Sequence, residues 1–235
     1  MNNPIYPGKE LRLFSKAIRW KFYWSSRILP FLGNTVLEVG AGLGSNTRLL
    51  CKRSFQRWVC LEPDILLSGS IKDTLKFHEC SSLCEVIKGT ISDLSFSDIF
   101  DTILYLDVLE HIEKDQQEIC EAFKHLTPNG KIIVLAPSHQ SLFSEFDRTI
   151  GHCRRYNAKM LKALTPPNAK LISLEYLDSL GMILSYANRI ILNQKIPSHS
   201  EIQIWDSIIV PCSQIIDKFF GYRLGKSIFV VWCKT

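Results

Sequence analysis

Three glycines at alternate positions, Gly40, Gly42 and Gly44, stand where an apolar strand runs into a helix within residues 36–47. Glycine lacks a Cβ and tolerates positive φ, so the backbone of such a turn can approach a bound ligand closely. The helix that follows adds N–H groups without partners in its first turn. This arrangement is typical of a binding site for a nucleoside-containing cofactor, although a strand-to-helix turn without a ligand can have the same composition.

Two acids lie near these glycines at positions suited to a nucleoside. Glu38 comes two residues before Gly40, and Glu62 ends the next strand, 22 positions after Gly40. A carboxylate at the end of that strand can accept hydrogen bonds from both hydroxyls of a ribose, although it could also be an ordinary strand-end acid. The third glycine comes one position earlier than in the G-x-G-x-x-G fingerprint of dinucleotide-binding proteins. This spacing argues against a nicotinamide-dependent oxidoreductase.

A second polar group follows the strand predicted at residues 100–107. Asp107 ends that strand, and the pair Glu110-His111 comes three residues later. Ligands of parallel sheets bind beyond the carboxyl ends of the strands, so Asp107 is a candidate binding residue. His111 could contact a ligand or act as a base, or it could have a structural role at the start of a helix.

A third polar group lies in residues 146–156, after the fifth predicted strand. It contains two arginines, whose planar forks bind carboxylate or phosphate at two points. It also contains a histidine, which titrates near neutral pH and suits general base catalysis. The alternative is a solvated loop with an internal Asp–Arg pair. The candidate residues are Asp147, His152, Arg154, Arg155 and Tyr156.

Short apolar strands alternate with helices along residues 35–137, and two further strands are predicted at residues 169–176 and 227–232. This alternation predicts an α/β fold with a seven-stranded, mostly parallel sheet and helices on both faces. We expect one domain over residues 1–235. Residues 1–32 would form a helical lid, residues 35–137 the cofactor-binding core, and residues 138–235 the acceptor-site loop, an aromatic late insert that caps the site, and the last strands.

The composition excludes several classes of function. The 235 residues carry a net charge of +5 without a basic tail, so we expect no nucleic-acid partner. No apolar run approaches the ~20 residues of a membrane-spanning helix, and the polar opening residues do not resemble a secretory signal. The eight cysteines lack the spacing of a zinc site. We therefore expect a cytoplasmic protein with reduced thiols and no metal.

The segments at residues 36–47, 100–112 and 126–134 resemble the motifs of class I S-adenosylmethionine (SAM) methyltransferases. The resemblance implies a Rossmann-like fold, SAM as the methyl donor and S-adenosylhomocysteine as the product. It also implies which residues contact each part of SAM. Those for the methionine end are Glu38, Gly40, Ala41, Gly42, Gly44 and Asp107; Glu62 is implied for the ribose, Thr90 and Ile91 for the adenine, and Pro63, Val108 and Leu109 for SAM as a whole.

Residues 146–156 and 221–227 resemble a bacterial subgroup of these enzymes that methylates small molecules. The resemblance implies a small-molecule acceptor, such as a saccharide or another secondary metabolite, without identifying it or the atom that is methylated. A SAM-binding regulatory module without catalysis is the alternative. The late insert could instead form a homodimer or touch a membrane surface. The candidate catalytic residues are His152, His111, Asp147, Arg154, Arg155 and Tyr156.

Overall fold

The computed structural model describes residue 14 and residues 16–52, 54–191 and 198–235, with the backbone alone at residues 189–191. The part of the predicted lid in residues 1–13 therefore lies outside the described residues. Arg53, the predicted end of the helix after the glycine turn, also lies outside them. None of the helices in the described part of the chain is long and apolar enough to cross a membrane.

The centre of the fold is a seven-stranded sheet with strand order β3-β2-β1-β4-β5-β7-β6. The first five strands in this order are parallel, whereas β7 runs antiparallel to both β5 and β6. The prediction of a mostly parallel seven-stranded sheet is confirmed. The strands are β1 (Thr35–Val39), β2 (Arg57–Glu62), β3 (Cys84–Lys88), β4 (Phe100–Leu106), β5 (Leu126–Pro137), β6 (Ala169–Leu177) and β7 (Ser227–Lys234).

Helices cover both faces of the sheet, and local sequence sets their ends. Asp64 caps α3, because its side chain accepts hydrogen bonds from the backbone N–H groups of Leu66 and Leu67. A single π-helical turn, Trp205–Ile209, joins the last two helices. The helices are α1 (Ile18–Ile28), α2 (Ser45–Leu50), α3 (Ile65–Leu75), α4 (Asp115–Lys124), α5 (Glu145–Thr149), α6 (Ala158–Ala163), α7 (Ser179–Ile191), α8 (His199–Ile204) and α9 (Val210–Phe219).

The core consists of two apolar layers, one on each face of the sheet. Along β4, Leu104 and Leu106 join one layer, while Ile103 and Tyr105 join the other. Successive side chains of a strand point to opposite faces, so a strand buried on both sides must be apolar at every position. This requirement explains the uninterrupted apolar strands of the sequence.

Two segments differ from the sequence-based expectation. Strand β5 begins at Leu126 and includes the Pro-Asn-Gly sequence at residues 128–130, which we expected to be a turn. Asn129 has φ 63°, and the register against β4 shifts at this point, so the irregularity lies inside the strand. Residues 138–156, expected to be a loop, contain α5, which Ser144 and Asp147 cap reciprocally.

We use the term cap layer for α1 together with α7, α8, the π-helical turn and α9. Ala17, at the start of α1, provides no side-chain cap. Asp206 in the π-helical turn does so instead, because its carboxylate accepts hydrogen bonds from the backbone N–H groups of Arg19 and Trp20, at 3.2 and 2.8 Å. The hydroxyl of Tyr23 donates to Asp217 at 2.6 Å. These bonds join two segments that are nearly 200 residues apart in sequence.

Replacing Asp206 by alanine tests this connection. We expect the free energy of unfolding in urea to fall by about 0.5–2 kcal/mol, the usual loss on removing an N-cap. The amide protons of Arg19 and Trp20 should also exchange faster. Asp206→Asn keeps an acceptor oxygen and should recover most of the stability. Equal stability of the alanine variant and the wild type would contradict the proposed cap.

Candidate functional site

A cavity of about 600 Å³ opens at the carboxyl ends of β1, β4 and β5. Residues 40–43 of the glycine turn line one side, and Asp107 with the residues after β4 lines the floor. The loop after β5 and the cap layer form the remaining walls. The cavity therefore lies where ligands bind to open parallel sheets.

The glycine turn depends on backbone conformations that glycine adopts readily. Gly40, Gly42 and Gly44 have φ values of 64°, 57° and 73°. A Cβ on Gly40 would lie 2.7 Å from Cγ2 of Val108, which leaves no room for a side chain. Gly40, Ala41 and Gly42 line the cavity. Gly44 does not, and a Cβ there would meet Ile71 of α3 at 3.1 Å, so this glycine permits close helix packing.

Glu38 and Glu62 support the glycine turn through hydrogen bonds. Glu38 is fully buried and accepts hydrogen bonds from Thr47 Oγ1 and Trp58 Nε1, at 2.6 and 3.1 Å. Burial raises the pKa of Glu38 to about 7. Glu62 accepts from the backbone N–H of Gly42 at 2.8 Å. Burial raises the pKa of Glu62 as well. Neither acid is among the residues that line the cavity, and Glu62 is linked to it through its hydrogen bond with Gly42.

Of the residues predicted to lie near the adenine or elsewhere along SAM, some are exposed and others are buried in the core. Pro63 and Thr90 are exposed, and Thr90 donates to Asp93 in a capped turn. Ile91 is buried in the core, which corrects its expected contact with adenine. Leu109 is likewise a core residue and not a ligand contact, because the short 3₁₀ turn after β4 directs it inward.

The cavity floor carries a charge at the end of β4. Asp107 has φ 56°, faces the cavity, and is surrounded by protein that raises the pKa of its carboxyl to about 6. Lys21 of α1 also lines the cavity and donates to Ser45 Oγ at 2.7 Å. Burial lowers the pKa of Lys21, while Glu38 and Asp107 oppose that effect. No motif of the sequence predicts that Lys21 belongs to the site.

Asp147 organises the loop after β5. It is fully buried, and its carboxylate accepts hydrogen bonds from Arg155 Nε and Nη2 at 2.9 and 3.0 Å. His152 Nδ1 lies 2.9 Å from Asp147 Oδ1, and Ser144 donates at 2.7 Å. Burial alone would raise the pKa of Asp147, but hydrogen bonds from His152, Arg155 and Ser144 hold it well below its usual range.

Two predicted catalytic residues of this loop face away from the cavity. Arg154 forms an ion pair with Asp115 and donates to the carbonyl of Glu113 at 2.8 Å. Tyr156 is fully buried, with its hydroxyl 2.8 Å from Asp115 Oδ2. Neighbours on an extended chain point in opposite directions, so when Arg155 faces Asp147, Arg154 faces α4. Arg154 and Tyr156 are therefore structural, which corrects their assignment as catalytic residues.

Glu110, His111 and His152 meet on the cavity wall. One ligand-type atom from each lies within 4.8 Å of the others. The rings of His111 and His152 pack edge to face with centroids 4.6 Å apart, and burial lowers the pKa of His111 to about 4. Glu110 is fully buried, and within the described part of the chain neither of its carboxylate oxygens has a hydrogen-bond partner. The sequence places Glu110 beside His111 but predicts no role for it.

The neighbouring arginines provide a test of this description. Arg155→Ala leaves Asp147 charged and buried without its main partner, so we expect the free energy of unfolding to fall by about 3–5 kcal/mol. Arg154→Ala removes a more exposed pair and should cost about 0–1 kcal/mol. Urea denaturation of both variants gives the comparison. The side chain of Arg155 is 10% exposed and that of Arg154 is 22% exposed. Similar losses of stability for the two variants would contradict the larger role assigned to Arg155.

Comparison with known proteins agrees with this geometry. Residues 37–134 match the family described as Methyltransferase domain. A ubiquinone biosynthesis O-methyltransferase of Rickettsia conorii is 30% identical over 99 residues, 42% of this chain and 33% of that protein. A demethylmenaquinone methyltransferase of Tropheryma whipplei is 28% identical over 158 residues, 64% of this chain and 59% of that protein. The chain thus matches about a third of the length of the first relative.

Solved structures show the same fold over nearly the whole chain. Geranyl diphosphate methyltransferase in complex with SAM matches with a TM-score of 0.66 at 11% identity, covering 100% of this chain and 93% of that one. Coclaurine N-methyltransferase bound to N-methylheliamine and S-adenosylhomocysteine matches with 0.62 at 13% identity, covering 93% and 72%. These two neighbours bind SAM and its demethylated product, the ligands that the sequence motifs predicted for this chain. Residues 37–134 thus match a methyltransferase domain, and the whole chain shares its fold with methyltransferases of known structure.

Proposed function

We propose that this protein transfers a methyl group from SAM to a hydroxyl of a small molecule with an apolar body. The observation that carries the proposal is the cavity itself. The glycine turn and the wall formed by Glu110, His111 and His152 open into one space. A donor held by the turn and an acceptor held at that wall would therefore meet.

The turn and its neighbours suit the donor. Gly40 and Gly42 leave room for the methionine part of SAM, and Asp107 is placed to attract its ammonium group. Lys21, on the opposite wall, would hold the carboxylate. Glu62 would bind the ribose from the end of β2, with Pro63 and Thr90 beside the adenine on the exposed side. Each carboxylate oxygen has two lone pairs, so Glu62 can accept from a ribose while it also holds Gly42.

SAM carries its methyl group on a sulfonium, which is already activated for an in-line displacement. Alignment of donor and acceptor is then the main task of the protein, and good alignment is worth about 7–11 kcal/mol. The cap layer would exclude water from that alignment, since Trp20 and Trp205 pack together 5.7 Å apart at the cavity.

Beyond the glycine turn, the cavity lining combines aromatic side chains with polar ones such as His152, Ser144 and Arg148. Phe14, Phe143 and Phe146 line the cavity, and Phe14 and Phe146 pack with ring centroids 6.3 Å apart. His152 is fixed by Asp147 and presents its other nitrogen toward the cavity wall. Such walls favour an aromatic or prenylated compound over a saccharide. The names of the relatives in ubiquinone and menaquinone biosynthesis support the same choice.

Binding of the cofactor can be tested by calorimetry with SAM and S-adenosylhomocysteine. Both ligands carry the same ribose, so Glu62→Ala should weaken both about ten- to a hundredfold, the effect of losing hydrogen bonds to a charged group. Glu121→Ala on the outer side of α4 is the matched control, because Glu121 pairs only with Lys124 among the contacts that the structure describes. Unchanged affinity in a folded Glu62 variant would remove Glu62 from the site.

Catalysis can be tested by release of S-adenosylhomocysteine with panels of phenols, prenylated phenols and saccharides. We expect turnover with the aromatic hydroxyl compounds, and loss of that turnover in His152→Ala with unchanged affinity for S-adenosylhomocysteine. Turnover only with saccharides would contradict the proposed acceptor class. Tight cofactor binding without turnover of any acceptor would instead favour the regulatory module.

A further inference from the structure

We propose that Glu110, His111 and His152 bind a divalent transition-metal ion that holds the acceptor hydroxyl beside the methyl donor. This inference deepens the proposed function and rests on it for the role of the ion. The binding of the ion itself follows from the three side chains.

The carboxylate of Glu110 favours a bound ion at this place. It is fully buried, and neither oxygen has a hydrogen-bond partner within the described part of the chain. A buried carboxylate without a partner is costly, and such groups are normally paired or bound to a metal. Glu110 is among the residues that line the cavity, so its buried carboxylate lies next to the space proposed for the acceptor.

The orientation of His152 also favours a bound ion. Its Nδ1 lies 2.9 Å from Asp147 Oδ1, an arrangement in which the ring donates to the carboxylate and leaves Nε2 with a free lone pair. Nε2 lies 3.7 Å from Glu110 Oε1, too far for a hydrogen bond. Two ligands about 2.1 Å from one tetrahedral ion lie roughly 3.4 Å apart, so this spacing suits a shared ion. Carboxylate–histidine–metal arrangements of this kind fix the ring and raise its basicity.

The chemistry of the donor set indicates the class of ion. Two imidazoles and one carboxylate suit Zn²⁺, Fe²⁺, Co²⁺ or Mn²⁺, whereas Mg²⁺ and Ca²⁺ prefer oxygen ligands alone. Three protein ligands leave coordination positions open, as in catalytic metal sites. Asp107, which also lines the cavity, adds a negative charge that offsets the repulsion between the ion and the sulfonium.

The ion would make the acceptor a better nucleophile. A hydroxyl that coordinates a divalent cation loses its proton more easily, and the proton would pass to solvent as the acceptor enters the cavity. The acceptor oxygen then forms a bond to the methyl carbon. The bond between that carbon and sulfur breaks, and its electron pair stays on sulfur, giving S-adenosylhomocysteine and the methyl ether.

Metal binding is measured directly on untagged, chelator-treated protein with Co²⁺ and Zn²⁺, by calorimetry and by the visible absorption of Co²⁺. We expect one ion per chain in the wild type. Glu110→Gln and His152→Asn should weaken binding at least about a hundredfold, and Asp147→Asn, which acts through His152, about 10- to 100-fold. His199→Asn, an exposed histidine on α8, should bind like the wild type.

Thiols require a separate control, because Cys51 and Cys84 lie with their sulfur atoms 3.7 Å apart and could bind the same ions. Cys51→Ser should keep the expected ion and its absorption. Binding that disappears in Cys51→Ser and persists in Glu110→Gln would overturn the proposal, as would the absence of any binding to the wild type.

Thermal unfolding separates the role of Glu110 from a general loss of structure. Without metal, Glu110→Gln replaces a buried carboxyl group whose oxygens have no hydrogen-bond partner within the described residues, so its melting temperature should equal or exceed that of the wild type. With metal, only the wild type should gain stability, in proportion to ln(1 + [metal]/Kd). A variant that gains as much as the wild type would contradict the assignment of Glu110 as a ligand.

Affinity for S-adenosylhomocysteine, measured on the same samples, distinguishes the two proposals. If the protein binds S-adenosylhomocysteine but no metal, and turnover survives chelation, the metal site is wrong and the methyltransferase proposal stands. If the ion binds but the nucleoside does not, the proposed function fails and the metal site remains.

Discussion

The buried carboxylate of Asp147 is the interaction on which the polar half of the site depends. It accepts hydrogen bonds from Ser144, His152 and Arg155, which lie in one short stretch of chain after β5. These bonds convert a sequence that could have been a solvated loop into a fixed wall of the cavity. They also determine which nitrogen of His152 is left to face Glu110. Removing this one charge would release the wall, the histidine and the arginine together.

The strand order brings the two halves of the site together. Strand β1 pairs with β2 on one side and with β4 on the other, so the chain reverses its direction of winding at β1. At such a point the loops after neighbouring strands diverge and leave a crevice. The glycine turn after β1 and Asp107 after β4 lie on the two sides of this crevice, and Val108 packs directly against Gly40. The cap layer closes the crevice through contacts between α1 and the last helices.

Burial gives the cavity an unusual electrostatic character. The pKa values of Glu38 and Asp107 are raised to about 7 and 6, and that of Glu110 is raised well above its usual range, in each case because burial penalises the ionised carboxylate. A bound cation would stabilise the ionised forms of nearby carboxylates. The sulfonium of SAM is such a cation, and a metal ion at Glu110 would be another. The charge arrangement thus favours the ligands that the proposed chemistry requires.

The sequence by itself determined the seven-stranded α/β fold, the glycine turn, the cap at Asp64 and the placing of Asp107, because these follow from local patterns of apolar residues, glycines and capping groups. Its motifs also predicted the methyltransferase domain that residues 37–134 match. Only the tertiary structure decided that Arg155 faces the site while Arg154 faces α4, and that Ile91 and Leu109 belong to the core. It alone brought Lys21 and Glu110 to the cavity. Side-chain direction on irregular backbone, and contacts between residues far apart in sequence, leave no local pattern, because they depend on how the finished elements pack.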